Sequence, residues 1–146
     1  MNNIQWGALL FSALIGSVSI LVSMYVLLPK LGLPKLDFAA VTGGWVGATG
    51  PYARPIGLTV FLLGGIAWAF LYARFWPWHN IMGGLAFGLI PFAASLMTVL
   101  PELSKVHIML YPMPGFLWIK LGGREAVAAN LVQHLIFGLC LAKFYR

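Results

Sequence analysis

Acid is scarce in this chain: Asp37, Glu102 and Glu125 are its only carboxylate side chains among 146 residues, against nine Lys and Arg. Charged residues make up 8% of the sequence and hydrophobic residues 61%. A water-soluble globule of that composition could not clothe itself in polar groups, so the chain reads as a membrane protein. At about 20 apolar residues per crossing, this length accommodates five or six spans at most, and no soluble catalytic domain fits beside them. Three carboxylates also leave little for acid–base chemistry. Cysteine is nearly absent: Cys140 stands alone, which excludes an intrachain disulfide and predicts a small, packed apolar side chain. Basic runs are missing too. The nine cations are scattered singly, with no interleaved aromatic platform, so nucleic acid is excluded as a partner and membrane-edge anchoring explains the +6 formal charge.

What the chain does have is apolar length. Four stretches are nearly free of charge and long enough to cross a bilayer: Trp6 to Leu28, Ile56 to Phe75, Ile81 to Leu100, and Ala126 to Phe144. These predict an all-α fold, a four-helix integral membrane bundle forming one transmembrane domain over residues 1–146. The first stretch lacks a basic leader and exceeds a signal-peptide core, so it is expected to be retained. Amphipathic rings and snorkelling cations mark the edges. One belt is expected from Trp6, Tyr72, Arg74, Trp76, Trp78, Lys143, Tyr145 and Arg146, and the other from Tyr25, Lys30, Lys35, Tyr52, Arg54, Tyr111, Trp118, Lys120 and Arg124.

The connections differ. Helices two and three are joined by a tight turn, Trp76-Pro77-Trp78-His79-Asn80. The other two connections, Pro29 to Pro55 and Pro101 to Glu125, are long and too apolar for solvated loops. Backbone at membrane depth has to be buried in protein, so both are expected to lie in the interface or pack on the mouth of the bundle. The run Gly43-Gly44-Trp45-Val46-Gly47-Ala48-Thr49-Gly50 is not a phosphate loop. It lacks the Lys-Ser/Thr ending and the strand–turn–helix context, and its glycines predict tight turns and close backbone approach. The count of Lys and Arg favours the cytoplasmic side for the long connections, and the expected location is a bacterial inner membrane.

The second half echoes the first at a spacing of 72 or 73 residues. Gly16, Ser23 and Leu28-Pro29 match Gly88, Ser95 and Leu100-Pro101, and Leu62, Gly65, Ala69 and Tyr72 match Leu135, Gly138, Ala142 and Tyr145. This predicts a duplicated helical hairpin, with one repeat over about 4–75 and the second over about 76–146, related by an axis along the membrane normal. Small residues supply the helix-packing surfaces, because lipid offers little hydrophobic drive between helices and association needs close backbone approach. The stripes run through Ser12 and Gly16, Gly65 and Ala69, Gly84 and Gly88, and Gly138 and Ala142.

One ionisable side chain lies deep in a span: His134, on a helix face with Asn130 and Gly138, four residues to either side, and with Gln133 beside it. Polar groups at that depth are expensive and face the bundle interior or a cavity. Two readings stand. His134, with Asn130 and Gln133, holds a ligand: haem, chlorophyll, a carotenoid or a quinone. Or His134 makes an interhelical hydrogen bond to a hydroxyl such as Ser12, Ser19 or Ser95. No metal site is expected from residue spacing. His79 reads as an interfacial turn residue and His107 falls in the second long connection. A nucleophile–base–acid set is lacking and all three acids lie outside the spans, so neither catalysis nor proton-driven transport is expected.

The His134-x-x-x-Gly138-x-x-x-Ala142-x-x-Tyr145 ending, the Leu28-Pro29-x-Leu31-Gly32-Leu33-Pro34 exit and the duplicated hairpin resemble a family of small, functionally uncharacterised bacterial four-helix membrane proteins. The resemblance implies a topology and no activity. It departs at Phe61, an aromatic residue in the place that corresponds to His134. The functional expectation is a non-catalytic accessory or scaffold subunit of a larger membrane complex, such as a respiratory or photosynthetic electron-transfer assembly. Lipid and other membrane-protein subunits would be its partners. The alternatives are a cofactor binder anchored by His134 and a small oligomeric channel or transporter.

Overall fold

The computed structural model describes residues 4–33, 37–48, 50–97 and 123–145. Among these residues the chain is all helical. Helix α1 runs unbroken over Trp6–Lys30, α2 covers Phe38–Trp45, α3 Ala53–Phe75, α4 Ile81–Met97 and α5 Arg124–Phe144. Three of them, α1, α3 and α5, are long and apolar enough to cross a membrane, and α4 is a shorter apolar helix. This is the composition of a membrane protein.

Local chemistry sets the helix limits. The final turns of α1 widen to a π-helical stretch at Ser23–Leu27. There the Ser23 hydroxyl donates to the Ile20 carbonyl, and Pro29 brings no N–H to the ladder. Helix α2 begins at Asp37, whose carboxylate accepts from the Ala40 N–H at 3.0 Å, an N-cap. Helix α3 begins at Ala53, three residues before the expected start, because Pro55 falls in the first turn, where its missing N–H has no role. It stops at Phe75 because Trp76, which precedes Pro77, is extended. Asn80 then caps α4, its side-chain oxygen accepting from the Gly83 N–H at 2.8 Å. The expected continuation of that helix to Leu100, and nearly all of the second long connection, lie outside the described residues.

Helix α1 is central, with α5 packed on one side and α3 on the other; α4 lies against α5, and α2 against α3. The small-residue stripes make these contacts. A Cβ added to Gly84 would run into the Gly138 carbonyl, and one added to Gly88 into the carbonyl of His134. Gly65 sits on the Ser17 side chain and Gly16 on the Phe137 ring. Ser12, Ala69 and Ala142 are buried. All eight predicted packing residues are therefore buried in the bundle.

The first long connection carries α2, which crosses the start of α3 so closely that Gly57 meets the Ala39 carbonyl and Gly43 the Ala53 backbone. The Thr42 hydroxyl spans the two helices, 2.7 Å from the Gly57 carbonyl. The glycine-rich run thus ends a packed helix, and Gly47, with φ 76, turns the chain out of it. Two expected belt residues depart from expectation. Tyr72 and Tyr145 lie at the level of the short turn but face inward, fully buried and 8% exposed respectively, with ring centroids 6.2 Å apart. Both rings pack against His79 of the short turn, and Tyr72 also meets Phe87 of α4, so packing overrides the pull of the headgroups.

Candidate ligand-binding site

Helices α3 and α4 are joined by the short turn and meet close to it, where Trp68, Tyr72 and Trp76 contact the ring of Phe87 edge-on. They are not a packed pair along their length. Between them, walled by α1, α2 and α5, lies a cavity of about 240 Å³. Pro91 lies in its wall, inside α4. A proline there removes the N–H that would bond to Phe87, so the hydrogen-bond ladder of α4 is interrupted beside the cavity.

The lining is almost wholly apolar and aromatic. Phe38, Trp45, Phe61, Trp68 and Phe137 supply rings, while Gly64, Gly65 and Ala94 leave room. Phe38 stacks on Phe61 with centroids 5.9 Å apart and meets His134 edge-on at 6.4 Å. Phe92 closes on His134 from α4, at 6.1 Å. Polar groups are few: Ser17, Thr42, Ser95, the Trp45 indole and His134. The Trp45 Nε1 is buried and has no hydrogen-bond partner among the described residues. A concave apolar site with a handful of convergent polar groups is the ordinary form of a small-molecule pocket.

His134 is held from its own helix. Its Nδ1 lies 2.8 Å from the Asn130 carbonyl oxygen. A carbonyl only accepts, so Nδ1 carries the proton and donates, and Nε2 is left as a bare lone pair. Nε2 belongs to the ring edge distal to the backbone, and His134 is one of the residues that line the cavity.

The interhelical hydrogen bond expected of His134 is made by its neighbour. The Asn130 side-chain amide donates to Ser95 Oγ at 2.6 Å, and the Ser95 hydroxyl donates to the Phe92 carbonyl. Asn130 and Gln133, predicted beside His134 as ligand-holding residues, are fully buried but do not line the cavity. Gln133 is turned into packed protein, with both polar atoms of its amide lacking a hydrogen-bond partner among the described residues. Ser12 donates within its own helix, to Leu9. Ser19 accepts a long contact from Cys140, whose Sγ lies 3.7 Å away in a partly buried position.

His79 sits at the turn with Tyr72 and Tyr145, at centroid distances of 5.0 and 5.4 Å, and is not part of the cavity. His107 lies outside the described residues. Among the described residues no group of three His, Cys, Asp or Glu side chains is placed to hold a metal ion. Asp37, expected outside the spans, also pairs with Arg54 at 3.0 Å and so pins the start of α2 to the start of α3.

The residues that sequence reasoning missed are those of the roof and far wall: Phe38, Thr42, Trp45 and Trp68. Each is an ordinary apolar or small residue in its own segment. Comparison with protein-family models, curated proteins and solved structures returned no match.

Proposed function

We propose that this chain is a non-catalytic, multi-pass membrane protein that holds a single-ring lipophilic ligand of the quinone class in the cavity at His134. The observation that carries the reading is the cavity itself: apolar, ring-lined, set between spans, with His134 at its wall. Its size suits one substituted ring: the cavity holds about 240 Å³, and one of roughly 150 Å³ accepts benzene. The tail of a quinone can remain in the bilayer between α3 and α4. His134 offers the polar contact that orients such a ring.

A bundle that holds a redox-active ring without groups to transform it serves a reaction carried out elsewhere. We therefore keep as part of the proposal an accessory role in a larger electron-transfer assembly of the bacterial inner membrane, with α4 as a fourth, short span. The duplicated hairpin is also retained: Phe61 and His134, which correspond in the two repeats, line one cavity from opposite hairpins. A channel finds less support, since the lining is nearly devoid of polar groups.

Titration of the purified full-length chain in nanodiscs with duroquinone and duroquinol, followed by calorimetry and by the fluorescence of Trp45 and Trp68, tests the reading. Saturable binding of at least one form is expected, and its loss in Gly64→Leu, which fills the cavity. Absence of saturable binding in the wild-type chain would refute it.

A further inference from the structure

We infer that the cavity selects the reduced, hydroxyl-bearing form of its ring, a quinol, whose O–H is donated to Nε2 of His134. This deepens the function proposed above and rests on it. Binding of either form to the cavity is the earlier claim; discrimination between the two forms is the new one.

The argument is one of donors and acceptors. The Asn130 carbonyl, 2.8 Å from Nδ1, can only accept. Moving the imidazole proton to Nε2 would set the Nδ1 lone pair against that oxygen at the same distance, an unfavourable contact that leaves a buried carbonyl lone pair unmatched. The tautomer is thus fixed by the backbone of α5, and this backbone has little freedom to move. Gly88 is seated on the His134 carbonyl so closely that α4 and α5 interlock there. The edge-on rings of Phe38 and Phe92 fix the plane of the imidazole from two further helices.

A fixed lone pair in an apolar wall asks for a donor. A quinol has two hydroxyl donors; a quinone has only carbonyl oxygens, which would face Nε2 lone pair to lone pair. The other polar groups of the lining include the hydroxyls of Ser17, Thr42 and Ser95, and a hydroxyl both donates and accepts, so these discriminate neither form. His134 carries the selectivity. Losing one hydrogen bond at a site where the acceptor is then left unmatched predicts that the quinone binds about tenfold more weakly than the quinol. A bound ring held this way is the donor-ready form, suited to a partner that withdraws electrons.

The experiment is paired titration of wild-type and His134→Phe chains, in nanodiscs and without oxygen, with duroquinol and with duroquinone. The wild-type chain is expected to favour duroquinol by about tenfold, and His134→Phe to bind both forms with equal affinity, as its ring still packs between Phe38 and Phe92. Equal affinities in the wild-type chain, or a preference for duroquinone, would overturn the selectivity and leave the cavity's role standing. Failure of both forms to bind would overturn the two together. Nitrogen NMR of histidine-labelled wild-type protein supplies a readout that does not depend on the variant folding. A proton-free Nε2 is expected before ligand and a shifted resonance after duroquinol, and a proton found on Nε2 in the free protein would overturn the inference.

Discussion

Gly84 and Gly138 face one another so closely that a Cβ on either would collide with the other's carbonyl oxygen. This mutual fit brings α4 onto α5 and sets the register in which Gly88 rests on the backbone of His134. The obstacle is backbone on both sides, which cannot rotate away as a side chain can. Gly138→Val is therefore expected to destabilise the bundle by about 1–3 kcal/mol, the usual range for overpacking a tight contact. A lowered thermal midpoint in detergent, measured against the wild-type chain, checks this.

Gly64 is the contrasting case. A Cβ there meets nothing within 4 Å, and the residue lines the cavity. Gly64→Leu is expected to keep the fold, to gain up to about 1 kcal/mol from helix propensity, and to abolish duroquinol binding by occupying the space. Thermal stability and ligand titration on the same preparation separate the two effects; a variant that still binds would show that the ligand lies elsewhere.

At the start of α2, two interactions of Asp37 can be ranked by magnitude. The pair with Arg54 involves a guanidinium side chain that is 72% exposed, and exposed pairs contribute little. The N-cap to the Ala40 N–H replaces a backbone partner that the helix end lacks. Asp37→Ala is expected to lower stability by about 1 kcal/mol, and Arg54→Ala by a few tenths at most. Chemical or thermal denaturation of the two variants side by side provides the comparison; equal losses would mean the ion pair matters more than its exposure allows.

Gln133 and Asn130 are neighbours with opposite expected responses. Both polar ends of the Gln133 side chain lack partners among the described residues, so Gln133→Leu removes a desolvation penalty and is expected to leave stability unchanged or to raise it. Asn130→Leu removes the donor to Ser95 together with an Oδ1 that lacks a partner among the described residues, and is expected to cost up to about 1 kcal/mol. Thermal midpoints in one detergent decide. A marked loss in Gln133→Leu would instead reveal a polar contact made by that amide in the native membrane.

The accessory-subunit proposal predicts that the chain, extracted from its native membrane in mild detergent, migrates on a native gel with larger partners. Migration as a lone species of the mass of one chain would count against it.

Scarce charge and long apolar runs determined the membrane character and the helices. An uncharged stretch of that length leaves its backbone no partner in lipid but itself, and this constraint acts locally. The small-residue stripes were legible for the same reason: Gly84, Gly88 and Gly138 recur at helical spacing, and close approach in lipid requires small residues. His134 was legible as the one titratable group at depth. The cavity was not, because its wall is assembled from five helices and the apolar connection that carries α2 folds back to roof it with Phe38, Thr42 and Trp45. Each of those residues is unremarkable in its own segment. Nor could sequence assign partners within the polar face of α5. Asn130, Gln133 and His134 lie within five positions, yet one bonds across to Ser95, one is sealed in the core and one borders the cavity. Gln133 and His134 point about 100° apart on α5 and Asn130 shares a face with His134, and only the placement of α1 and α4 around α5 decides which of them faces protein and which faces open space.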